Sequence, residues 1–149
     1  MSTKKSLLLL SFVFLLVLAF AAMVHADLTS MLAVDSLLAQ ISAGDLQQTQ
    51  DLFAEDAVFT NKLTGRSCEG FAEIAVDLTP WQHPGRAYEI ISMTEDGDTV
   101  KFVVEVSDHN VVWASQRMTA ELNDNLIQNL ELDGIRLLSF PYKKVGDSS

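Results

Sequence analysis

Ser42-Ala43-Gly44-Asp45-Leu46-Gln47-Gln48-Thr49-Gln50-Asp51-Leu52-Phe53-Ala54-Glu55-Asp56-Ala57-Val58-Phe59 is the stretch whose reading decides the fold. Gly44 suits the left-handed conformation that ends one helix, and Asp45 is placed to cap the next by accepting from the N–H of Gln48. A helix end, a tight corner and a new helix start are therefore written into a few residues. The second helix is expected to turn Leu46, Leu52 and Phe53 towards the core. Glu55-Asp56 breaks it, and Ala57-Val58-Phe59-Thr60 reads as a strand of alternating, β-favouring residues.

Towards the amino terminus, Leu28, Met31, Leu32, Leu38 and Ile41 recur at helical steps, with Leu37 widening the stripe and Thr29 or Ser30 as cap. Before them, Lys4 and Lys5 precede the uncharged run from Leu7 to Val24, and Val24-His25-Ala26 follows with small side chains at the processing positions. This is the order of a secretory signal peptide, cleaved after Ala26; a short membrane anchor is the alternative reading of the same run. The expected organisation is a signal peptide over 1–26, one domain over 27–140 and a polar tail over 141–149, in a secreted protein that leaves the membrane on cleavage.

Cleavage removes two lysines and leaves 20 acidic residues against eight basic ones, a formal charge of −12. Such a chain repels phosphate backbones, which argues against nucleic acid as a partner. Cys68 is the only cysteine, so no internal disulfide forms and stability rests on packing.

Towards the carboxyl terminus, Asn61 to Glu69 reads as a connection. Phe71, Ile74, Ala75 and Leu78 share one face of a third helix that Thr79-Pro80 stops. The period then changes. After a loop at Trp81-Gln82-His83-Pro84-Gly85, strands are expected over Arg86–Thr94, Thr99–Val106, Val111–Leu122 and Leu126–Leu132. Turns separate them at Asp96-Gly97, Ser107–Asn110 and Asn123–Asn125, and Asp133-Gly134 ends the last. Ile135 to Phe140 is left as a short final strand or an apolar extension. Helices first and hairpins afterwards predict an α+β domain with helices on one face of an antiparallel sheet.

These elements and residues resemble the nuclear-transport-factor-2-like, or SnoaL-like, family. The resemblance rests on Ala43-Gly44-Asp45-Leu46, on Leu52-Phe53-Ala54-Glu55-Asp56-Ala57-Val58-Phe59, on Gly70 ahead of the third helix, and on Asp96-Gly97-Asp98-Thr99-Val100. It implies three amino-terminal helices on a strongly curved antiparallel sheet, a cone-shaped pocket, and a homodimer. It does not imply one function, because this fold hosts isomerases, cyclases, dehydratases, epoxide hydrolases, carriers and association modules. Steroid-isomerase-like members use an aspartate base where Asn61 stands here, a tyrosine donor where Leu37 stands, and an acid near Met118. None of these three side chains has the required chemistry.

Motifs for phosphate loops, nucleophile elbows and zinc sites are absent, so no cofactor or metal is expected. A four-residue hairpin loop at Ser107–Asn110 would pair Val106 with Val111, Val104 with Trp113 and Phe102 with Ser115. One face would then carry Phe102, Trp113, Ser115 and Arg117, an apolar wall with a few polar groups. Trp81 and His83, in the loop after the third helix, are the remaining candidate pocket residues. The expected function is binding of a small, largely apolar molecule. The alternatives are a SnoaL-like enzyme with His83 or Glu105 as acid or base, and an association module that pairs two copies through the open sheet face.

Overall fold

The computed structural model describes residues 30–144, so the expected signal segment and its cleavage site lie outside the described residues. The first helix, α1, occupies residues 30–43. Its end follows from the Gly44 corner: Gly44 has φ +77° and donates to the carbonyl of Ile41 at 3.1 Å, while Asp45 N–H reaches back to Gln40 at 2.9 Å. This pair of bonds satisfies carbonyls that a helix end leaves orphaned.

The buried face of α1 is Ala33, Val34, Leu37, Leu38 and Ile41. Leu37, Leu38 and Ile41 are as expected, but Met31 and Leu32 are 39% and 54% exposed. The stripe is centred on Val34, and Leu32 projects from the far side of the helix.

The second helix is a 3-10 helix over Leu46–Leu52, and Asp45 makes no side-chain cap. Gln48 N–H instead bonds the Asp45 carbonyl, and the Thr49 hydroxyl donates to the Leu46 carbonyl at 2.6 Å. Three residues per turn puts buried Leu46 and Thr49, and half-buried Leu52, on one side. Phe53 is in the core as expected, but as the first residue of β1, Phe53–Asn61. Glu55-Asp56 therefore does not precede the strand; it sits where the strand's register shifts.

The expected connection between Asn61 and Glu69 contains a further strand, β2, Arg66–Glu69, paired with β1 through Phe59↔Cys68 and Thr60↔Ser67. Helix α2, Phe71–Leu78, buries Ile74, Ala75 and Leu78 and passes into a 3-10 turn, Thr79–Trp81. Four long strands follow: β3 Arg86–Asp96, β4 Thr99–Asp108, β5 Val111–Asn123 and β6 Leu126–Lys143. Strand β6 does not stop at Asp133-Gly134. It shifts register there and continues past the expected domain end at 140.

The six strands form one curved, unclosed sheet in the order β2-β1-β6-β5-β4-β3. All neighbours are antiparallel except β1 and β6, which run parallel, a departure from the all-antiparallel expectation. The helical segments cover one face and the other is open. On the covered face, Val100, Phe102, Val104 and Val106 of β4 and Ala114, Met118 and Ala120 of β5 meet Leu37, Ile74 and Leu78 in one core. Each large aliphatic side chain buried there contributes about 1.5–3 kcal/mol.

The β4–β5 turn differs from the expected one. His109 and Asn110 alone form it, with φ +49° and +66°, the twist of a two-residue hairpin turn. Asp108 pairs with Val111, and the register then slips by one residue between Val106 and Ser107. The resulting pairs are Val106↔Ala114, Val104↔Gln116 and Phe102↔Met118, which exchanges the faces expected for β5.

Candidate functional site

The new register divides the expected site residues between two faces. Phe102 is fully buried on the covered face, with Gln116 and Met118 beside it on β5. Ser115 and Arg117 point to the open face. Trp113 occupies the extra residue of the bulge and packs, half-buried, against the core. Trp81 also packs against that core, its ring stacked on Tyr88 at 5.7 Å and edge-on to Phe59 at 6.2 Å. His83 is exposed in the following loop, its Nδ1 3.0 Å from the carbonyl of Pro84.

One end of the covered face gathers polar groups that the sequence analysis did not select. Arg86 donates to both oxygens of Asp108, at 2.8 and 3.0 Å, and its guanidinium lies 5.2 Å over the Trp113 ring. The Arg86 hydrogen bonds hold the Asp108 carboxyl below its ordinary range, with smaller contributions from His83 and His109. It is therefore a standing carboxylate, poorly suited to deliver a proton. Tyr88 donates to the Trp81 carbonyl at 3.1 Å, and burial pushes its phenol up to about 12. Its backbone N–H bonds Ser42 Oγ, which ties the end of α1 to β3.

Gln116 is 6% exposed on this face, and its Oε1 has no hydrogen-bond partner; the same holds for the buried Nε1 of Trp113. A buried polar atom without a partner costs about 1–3 kcal/mol. On β6, Ile135 pairs with Gln116 and Leu137 with Ala114, yet these two are 40% and 69% exposed. The apolar covered face thus continues outward beside Gln116 into surface open to solvent.

The open face is different chemistry. Lys62 bridges Glu131 and Asp133, at 2.6 and 2.7 Å, and Asp133 accepts from Thr119. With Lys101 and Arg117 they line a shallow hollow of about 660 Å³. Ser115, Arg117 and Arg136 line a neighbouring one of about 400 Å³. Glu105, one of the two expected acid or base candidates, also lies on this face, bonded by the Tyr142 hydroxyl. Among the described residues no group of three or more His, Cys, Asp or Glu is placed to hold a metal ion.

The three positions that the sequence resemblance set against steroid-isomerase catalytic residues have structural roles in this chain. Leu37 and Met118 are both fully buried in the core. Asn61 turns its side-chain oxygen to the backbone N–H groups of Leu63 and Thr64, closing the β1–β2 turn.

The architecture recurs among solved structures. An NTF-2 like protein of unknown function from Burkholderia xenovorans LB400 superposes with TM-score 0.63 at 14% identity, over 81% of this chain and 91% of its own. An LEH-like epoxide hydrolase of M. tuberculosis gives 0.53 at 18%, over 69% and 80%. A de novo designed protein with a curved β-sheet gives 0.58 at 15%, over 70% and 85%. At these identities the likeness is one of fold. A search of curated protein sequences finds no match. The SnoaL-like domain profile matches residues 34–128, from the middle of α1 to the start of β6, and the chain therefore belongs to the SnoaL-like domain family.

Proposed function

We propose that this protein is secreted and binds a small, largely apolar molecule on the helix-covered face of the sheet, at the end formed by Trp81, Tyr88, Trp113 and Gln116. Phe102 lies deeper on the same face and His83 at its rim. The observation that carries the reading is the combination on one face of two buried polar atoms without partners and the exposed apolar side chains of Ile135 and Leu137. A ligand would cover the second and satisfy the first. Ser115 and Arg117 face the other way and are assigned instead to the open face, through which two copies would pair.

Native mass spectrometry of the protein taken from the medium of a secreting host tests this reading. A chain beginning at Asp27 with an added small-molecule mass supports it. Absence from the medium, with the full-length chain held in the membrane fraction, would remove secretion. A ligand-free chain that also fails to bind small apolar compounds offered to it would remove the binding function.

A further inference from the structure

The chemistry of the occupant can be narrowed, an inference that rests on the binding reading above. An indole N–H only donates, so Trp113 Nε1 calls for an acceptor; the Gln116 Oε1 accepts, so it calls for a donor. The residues sharing this face between and beside them, Ala114, Ile135 and Leu137, are apolar. The two anchors are three residues apart on β5 with the bulge at Trp113, so their Cα atoms are separated by at most roughly 10 Å.

Charge decides between kinds of acceptor. Arg86 beside Trp113 would draw an anion if it stood alone, but Asp108 takes two of its hydrogen bonds and neutralises it. A carboxylate entering there would be repelled by the Asp108 charge, while a ketone carries no net charge to be repelled. We infer that the site selects a neutral, apolar molecule of two-ring size that carries a carbonyl towards Trp113 and a hydroxyl towards Gln116.

Fluorescence titration of the mature protein with 6-acetyl-2-naphthol, 2-acetylnaphthalene and 6-hydroxy-2-naphthoic acid tests this. The hydroxyketone is expected to bind at least about tenfold more tightly than either comparator, a difference of about 1.4 kcal/mol. Gln116→Leu should bring the hydroxyketone and 2-acetylnaphthalene to equal affinity, with Gln116→Met as the second variant should the first not fold. Asp108→Asn should raise affinity for the acid by freeing Arg86. Equal binding of all three probes to the unmodified protein, or preference for the acid, overturns the inference while leaving a binding site. Binding of none of them overturns the inference and the site together.

Discussion

Arg86, the first residue of β3, clamps Asp108, the last residue of β4, through two parallel hydrogen bonds of 2.8 and 3.0 Å. The pair closes the end of the sheet at which Trp113 sits. Asp108→Asn keeps the shape and removes the charge, and should lower stability by about 1–2 kcal/mol. The folded-state carboxyl is held below its unfolded value near 4. Its contribution is therefore complete above about pH 4 and disappears as pH falls through the folded value. Denaturant unfolding of both proteins from neutral to strongly acidic pH checks this: the difference between them should close only on the acid side.

Gly85 has φ +79°, and a Cβ there would lie 2.6 Å from the ring of His109, whose own N–H bonds the Gly85 carbonyl. Gly85→Ala meets a conformational cost of about 1 kcal/mol, and the exposed His109 ring must swing aside at a smaller further cost. Adding His109→Ala should recover the steric part and leave about 1 kcal/mol from the backbone. Thermal unfolding of the two single variants and the double variant gives the coupling directly.

The corrected helix face has an equally direct test. Leu37 is fully buried and Leu32 is 54% exposed, although both belong to the apolar stripe read from the sequence. Leu37→Ala should cost about 2–5 kcal/mol, and Leu32→Ala less than about 0.5 kcal/mol. Equal effects in equilibrium unfolding would contradict the helix orientation.

The fold was legible because its punctuation is local. Gly44 ends α1 by the expected mechanism, Thr79-Pro80 closes α2, and Asp96 and Thr99 flank the expected hairpin. The site was less legible because it depends on one register. Two residues rather than four in the His109-Asn110 turn move the pairing by two and keep the faces; the one-residue bulge at Trp113, which no glycine or proline marks, is what reverses the expected choice of faces on β5. A signal against that choice was available within the strand. Val112, Ala114, Gln116, Met118, Ala120 and Leu122 occupy alternate positions, and Gln116 is the only polar residue among them. Alternation of that length marks a buried face and singles out Gln116. Arg86 and Asp108 left no such trace, since 22 residues separate them and only the β3–β4 pairing brings them together.

The chain has two tryptophans, so its indole Nε1–H groups give two resonances, assignable with Trp113→Phe. Following these two peaks by heteronuclear NMR during titration with 6-acetyl-2-naphthol tests the central claim most directly. The Trp113 signal should move downfield as its unpartnered N–H gains an acceptor, together with the backbone signals of Gln116, Ile135 and Leu137. A stationary Trp113 signal, with shifts confined to Lys101, Arg117 and Arg136 on the open face, would contradict the account and place binding on the other side of the sheet.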